Sequence, residues 1–144
     1  MKPFFNTYSI DEHYVRLNDL EGLTPNNFNG AILILRGNIN ENDPLKNLLT
    51  NILSSIKIDL QSCLILDITQ NSFSLKELLR LGGLNKIFAF GAHPKELNYN
   101  IQFEPYSIIE IQNCKICFSA SLGDLNTNVD LKQKLWKSLK KFNS

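Results

Sequence analysis

The sequence predicts a three-layer α/β/α domain: a short, mostly parallel central sheet with an antiparallel C-terminal hairpin, and helices on both faces. Three observations predict it. Ala31-Ile-Leu-Ile-Leu35 and Ser62-Cys-Leu-Ile-Leu-Asp-Ile68 are continuous apolar runs of strand length, as expected of strands covered on both faces. Between them Leu45, Leu48, Leu49, Ile52, Leu53 and Ile56 recur at helical spacing, and a second capped helix separates the Ser62 run from a third strand, Lys86-Ile-Phe-Ala-Phe-Gly91. Strand, helix, strand, helix, strand with short links is the grammar of parallel strands joined by right-handed crossovers.

The remaining elements follow in order. Ser9-x-x-Glu12 is a capping-box pattern, and Ile10, Tyr14, Leu17 and Leu20 continue at helical spacing, so a short amphipathic helix is expected over residues 10–21, stopped by Gly22 and Pro25. Asp43 is the N-cap of the Leu45 helix, with Pro44 at its first position, where a missing N–H costs nothing. Ser74-x-x-Glu77 caps a helix over 75–81 that Gly82-Gly83 ends. His93-Pro-Lys-Glu-Leu97 makes only a short helical turn, and residues 98–105 are irregular. Tyr106-Ser-Ile-Ile-Glu-Ile111 and Lys115-Ile-Cys-Phe-Ser-Ala120 are separated by Gln112-Asn-Cys, too short for a parallel crossover, so they form a hairpin at the sheet's edge. A last helix is expected over 129–142, with Asn128 as cap, an inner stripe of Leu131, Leu135, Leu139 and Phe142, and Trp136 widening it.

A length of 144 residues with 43% hydrophobic and 20% charged residues suits one globular core, and residues 1–144 read as a single domain. No apolar run approaches the roughly 20 residues that span a bilayer, and the start lacks the apolar stretch of a signal peptide. The three cysteines cannot all pair, and Cys63 and Cys117 lie within apolar runs, so a reducing, cytoplasmic setting is expected. The net charge of +1 argues against a protein that coats nucleic acid. The tail nevertheless carries Lys132, Lys134, Lys137, Lys140 and Lys141 against Asp130 alone, a basic helix face that supports at most weak nucleic-acid contact.

In a parallel sheet, chemistry gathers beyond the carboxyl ends of the strands. The first such loop offers Arg36, Gly37, Asn38 and Glu41, without a Gly-x-Gly-x-x-Gly or Walker lysine. The second has Asp67, a base or metal ligand in one reading and a turn cap in the other, with Thr69 and Asn71 close by. The third has His93, either an acid–base group or the opening of a helical turn. Arg36, Asn38, Asp67 and His93 therefore form a candidate small-ligand or nucleotide site. His13 has no acidic or thiol partner at local spacing. Cys114-Lys-Ile-Cys117 has redox or zinc spacing, but it spans a turn and a strand, where residues three apart point to opposite faces, and a second ligand pair is missing. No nucleophile, base and orienting acid emerge together, so no catalytic residue, metal or cofactor is assigned.

Ala31-Ile-Leu-Ile-Leu-Arg-Gly-Asn-Ile-Asn-Glu-Asn-Asp-Pro-Leu resembles the psi subunit of bacterial DNA polymerase III, in which a buried strand leads through an Asn- or Asp-containing loop to Asp-Pro-Leu and an amphipathic helix. Phe118-Ser-Ala-Ser-Leu-Gly-Asp-Leu and the helix carrying Leu135-Trp136 are similar to that family's ending, and residues 86–97 match in shape. The resemblance covers about residues 30–142. It implies a uracil-DNA glycosylase-like fold and a non-enzymatic adaptor of the clamp-loader complex, bridging clamp-loader subunits to a chi-like subunit. Residues 1–29 match poorly the segment that reaches the loader in psi. Within this arm Phe4, Phe5 and Tyr8 are partner-binding anchors in one reading and fold back onto the core edge in the other; Tyr14, Leu17 and, on the last helix, Trp136 are further candidate partner-binding residues. The glycosylase relationship supplies the rival expectation, a base-excision enzyme. Such enzymes resemble Gly-Gln-Asp-Pro-Tyr-His after the first strand and His-Pro-Ser-Pro-Leu after the last. The matching places here read Gly37-Asn-Ile-Asn40 and Ser119-Ala-Ser-Leu122, without the water-positioning Asp or the terminal His.

Overall fold

The structure, a computed structural model, describes residues 14–37, 39 and 43–142. Its core is a five-stranded sheet built from β1 (Ala31–Leu35), β2 (Leu64–Asp67), β3 (Lys86–Phe90), β4 (Ile108–Ile111) and β5 (Cys114–Ser119). The order is β2-β1-β3-β5-β4, parallel except for the antiparallel β4–β5 hairpin. All five residues of β1 are buried, as its unbroken apolar run predicts.

Helices cover both faces. On one side α2 (Pro44–Ser55), α4 (Leu122–Thr127) and α5 (Val129–Phe142) bring Leu49, Ile52, Leu53, Leu125, Leu135 and Leu139 onto Leu33, Leu35, Phe88 and Cys117. The Phe88 and Phe142 rings meet there at 4.7 Å. On the other side α1 (Leu17–Leu23), α3 (Leu75–Leu78) and a 3₁₀ turn at Pro94–Leu97 bring Leu20, Phe73, Leu75, Leu78 and Leu97 onto Ile32, Ile34, Ile87 and Phe118. This alternation of strand side chains between two cores confirms the three-layer expectation. Among the described residues no helix is long and apolar enough to cross a membrane.

Several local signals hold. Asp43 caps α2 by accepting the Leu45 N–H at 2.9 Å, with Pro44 opening the helix. Asn128 accepts the Leu131 N–H at 3.2 Å at the start of α5. The hairpin loop is tighter than expected. Cys114 joins β5 and pairs with Ile111, leaving Gln112 and Asn113 at φ 52° and 66°, the left-handed pair that matches strand twist. Cys114 and Cys117 fall in opposite cores, as their spacing predicts.

Four expectations need correction. The first helix begins at Leu17 rather than near residue 10. Tyr14 is extended and bridges Ser72, with the Val15 N–H bonded to the Ser72 carbonyl at 2.9 Å. Ser9 and Glu12 lie outside the described residues. The Ser74 box is not made: the Ser74 side chain caps nothing, while Glu77 accepts from the Leu17 N–H at 3.1 Å and pairs with Arg80. The third helix shrinks to Leu75–Leu78, because the chain past it is held by shorter-range turns such as Arg80 N–H to Glu77 carbonyl. The Ser62 run is not a strand covered on both faces: β2 is an edge strand, Ser62 sits in a 3₁₀ turn, and Ile65 is 46% exposed. Its alternating buried and exposed pattern is that of a one-sided strand. After β5 the chain enters the short helix α4, which Ser121 caps by accepting the Asp124 N–H.

Gly30 shows why β1 and β3 start in register. At φ 87° it offers its carbonyl to the N–H groups of Asn85 and Lys86, and a Cβ there would lie 2.6 Å from the Gly83 carbonyl oxygen. The depth of β1 sets a stability contrast with the edge. Leu33→Ala should cost about 2–5 kcal/mol through its cavity, whereas Ile65→Thr on the exposed edge should stay within about 1 kcal/mol. Urea midpoints measure both, and equal losses would contradict the assignment of centre and edge.

Candidate functional site at the strand ends

The connections leave β1 and β3 toward opposite sides of the sheet, so their carboxyl ends form the crevice where ligands of open α/β sheets bind. Here a side chain fills it. Arg36, immediately after β1, donates from Nε to the Gly91 carbonyl at 2.9 Å and forms an ion pair with Glu96. Gly91 occupies φ 78°, and a Cβ there would come within 2.9 Å of Ser121 Cβ, so the close approach of the β3 and β5 ends depends on glycine. Glu96 accepts the His93 N–H at 2.9 Å, and His93 Nδ1 accepts the Lys95 N–H at 3.1 Å, a reciprocal capping box that builds the Pro94–Leu97 turn. The His93 ring stands edge-on to Phe103 at 4.9 Å, and Phe103 rests on Phe118.

Asp67 ends β2 and ties its turn to β1. Its Oδ1 accepts the N–H of Gly37 and of Thr69, both at 2.9 Å, and the Thr69 hydroxyl at 2.7 Å. Burial pushes this carboxyl upward, but the Thr69 hydroxyl and the two N–H groups outweigh it and hold its pKa below the ordinary 3.8. Its Oδ2 is buried and has no hydrogen-bond partner. Burial likewise raises the pKa of Glu96, and the hydrogen bonds from Arg36 and His93 reverse the shift to a net lowering.

Thus Arg36, Asp67 and His93 do not converge on one substrate-sized space. Arg36 meets Glu96, Asp67 meets the loop after β1, and His93 caps its own turn; Asp67 and His93 line different pockets. Asn38 and Glu41 lie outside the described residues, as do Phe4, Phe5, Tyr8 and His13. Tyr14 is half-buried in its bridge to Ser72, Leu17 packs against the first core and Trp136 against the second. Lys134, Lys137, Lys140 and Lys141 are exposed on α5. The three thiols are buried. Burial raises the Cys63 pKa and pushes Cys114 up to about 11 and Cys117 to about 12, so none is a ready thiolate. Among the described residues no three His, Cys, Asp or Glu side chains cluster as a metal site would require.

Two features escaped sequence reasoning. Glu96 is the hub of the crevice, and its spacing three residues after His93 was the available signal. The second is a groove of about 530 Å³ between α2 and β2, with Ile39, Leu49, Ile58, Leu60 and Ile65 in its walls and Asp67 at one end. No local pattern announces it, because its walls come from four separate segments. In comparisons with known proteins, the chain matches no family model and no curated protein.

The depressed Asp67 pKa fixes a pH dependence. A carboxylate with a lowered folded-state pKa stabilises the fold above its unfolded value, and that contribution disappears as pH falls through the folded value. Asp67→Asn should therefore be less stable than the parent at pH 7, with the gap closing as the pH drops below 3.8. Urea midpoints at pH 7 and about pH 3 test this, and a gap independent of pH would contradict it.

Proposed function

We propose that the chain is a non-enzymatic adaptor that works by binding other proteins, and specifically a psi-like subunit of a bacterial clamp-loader complex with a uracil-DNA glycosylase-like fold. One observation carries the adaptor reading: the polar groups at the strand ends are already engaged with one another. Arg36 is held by Gly91 and Glu96, His93 Nδ1 by the Lys95 N–H, and Asp67 Oδ1 by Gly37 and Thr69. A general acid or base must be within hydrogen-bond reach of substrate with its proton site available, and these groups serve as bolts between loops instead.

The clamp-loader identity rests on residue order, the strand of Ala31-Ile-Leu-Ile-Leu35 leading to Asp-Pro-Leu45 and the tail with Leu135-Trp136. The positions that correspond to glycosylase motifs have structural work. Gly37 donates its N–H to Asp67, and Ser121 caps α4. The basic face of α5 is compatible with weak contact to DNA and a chi-like partner supplies the bridge.

Affinity capture with the tagged full-length chain from its native cells should recover clamp-loader subunits, and the purified chain should release no base from uracil-containing DNA. Recovery of none, beside robust excision that Asp67→Asn or His93→Ala removes, would replace the adaptor with an enzyme.

A further inference from the structure

The sheet ends on one side at β2, and among the described residues nothing pairs with its outer edge. The Ile68 N–H bonds to the Leu35 carbonyl at 3.0 Å, so by strand alternation Leu64 and Leu66 also turn their peptide groups toward β1. Ile65 and the Asp67 N–H then face away from the sheet. Ile65 and Asp67 also share one face with Leu33 and Leu35, their register partners, on the α2 side. Among the described residues no helix shuts that face of β2 off from solvent at Ile65. Ile65 is 46% exposed and forms one wall of the groove, while Leu49 and Leu60 form others.

The groove has a polarity. Among the described residues lining it, Asp59 and Asp67 are accompanied by a single cation, Lys46. Asp67 Oδ2 is the one buried side-chain oxygen or nitrogen among the described residues that lacks a hydrogen-bond partner. A carboxylate oxygen left without a donor favours a cation brought close to it.

We infer that the outer edge of β2 takes up an extended peptide of a partner protein, whose apolar side chain seats beside Ile65 and whose Lys or Arg, two residues away, reaches Asp67. The inference rests on the adaptor reading and gives it a surface and a partner chemistry. Strand addition uses what the edge presents: the Ile65 N–H and carbonyl and the Asp67 N–H bind any backbone, since the Asp67 carbonyl is taken by Gln70 and Asn71, and the side chains at alternate positions select the sequence. Since Ile65 and Asp67 are two apart, the selected pattern is apolar-x-basic, in the order set by the direction of the added strand. An acidic residue at that basic position meets the Asp67 carboxylate and is rejected.

Fluorescence anisotropy with the full chain tests this, using labelled eight-residue peptides centred on Leu-Thr-Lys or Lys-Thr-Leu, beside versions with Glu in place of Lys. One lysine peptide should bind about tenfold more tightly than its glutamate control, and Asp67→Asn should bring that ratio below about threefold. Ile65→Pro removes an N–H that faces away from β1, so the sheet keeps its ladder while the added strand loses its bond. Where circular dichroism shows that proline impairs folding, Ile65→Asp replaces it. Either variant should weaken the lysine peptide about tenfold or more. Equal affinity for lysine and glutamate peptides, or undiminished binding by a folded edge variant, overturns the inference. So does hydrogen exchange that finds the Ile65 and Asp67 amides already protected in the free monomer, where the chain itself covers the edge. Protection only in a dimer seen by sedimentation assigns the edge to a second copy and overturns it as well. The adaptor reading fails separately: clamp-loader subunits captured equally by parent and Ile65→Pro refute the edge alone, whereas selective peptide binding without capture of those subunits refutes the clamp-loader assignment alone.

Discussion

Because all five residues of β1 are shut off from water, its peptide groups have only neighbouring strands to bond and its side chains only protein to touch. Leu33 and Leu35 turn their main chain toward β2, and Ile32 and Ile34 turn theirs toward β3, so both neighbours are obligatory. The side chains alternate between two cores, and each core needs its own helices. A three-layer domain is what satisfies these demands at once. Gly30 then sets where β3 may start, since its carbonyl takes both Asn85 and Lys86 in a space too small for a side chain.

The same arrangement brings charged residues to the carboxyl ends, where loops of opposite direction must be joined. Arg36, Glu96, His93 and Asp67 join them. Individually these bonds are weak supports: the Arg36–Glu96 side chains are 44% and 39% exposed, and such pairs contribute about 0–1 kcal/mol. Their effect is geometric. Arg36 lies across the crevice between β1 and β3, and Asp67 fixes the turn after β2 against Gly37. A crevice that could have held a ligand becomes a seam between loops.

At the flanks of the sheet the two edges differ. β4 is the outer strand of a hairpin whose inner strand β5 is fully engaged with β3, and Ser138 on α5 bonds the Tyr106 carbonyl just before it. Between β2 and α2 a groove opens, and Ile65 stays exposed in its wall. An edge that is short, four residues, and ended by an acid is protected against indiscriminate pairing.

Elements whose signals are local were legible in the sequence. The β1 run, the Asp43-Pro44 start of α2, the His93 turn and the Asn128 start of α5 all depend on residues within a few positions of one another, and the structure forms them where the pattern places them; the hairpin is formed too, with a shorter first strand and a tighter loop. The opposite faces of Cys114 and Cys117 follow from strand periodicity alone. What the chain could not announce depends on residues brought together from afar. The first helix starts at Leu17 because Glu77, sixty positions away, accepts its N–H, and that diversion also dissolves the box expected at Ser74. Leu64-Ile-Leu reads as a buried strand but lies at an edge, since an apolar run carries no record of whether a helix will cover it. Likewise the residue types at Arg36, Asp67 and His93 were visible, but whether they face a ligand or each other was set by Gly91 and Glu96, which only the folded sheet brings alongside. Periodicity and capping are properties of neighbours in sequence, whereas coverage and pairing are properties of neighbours in space.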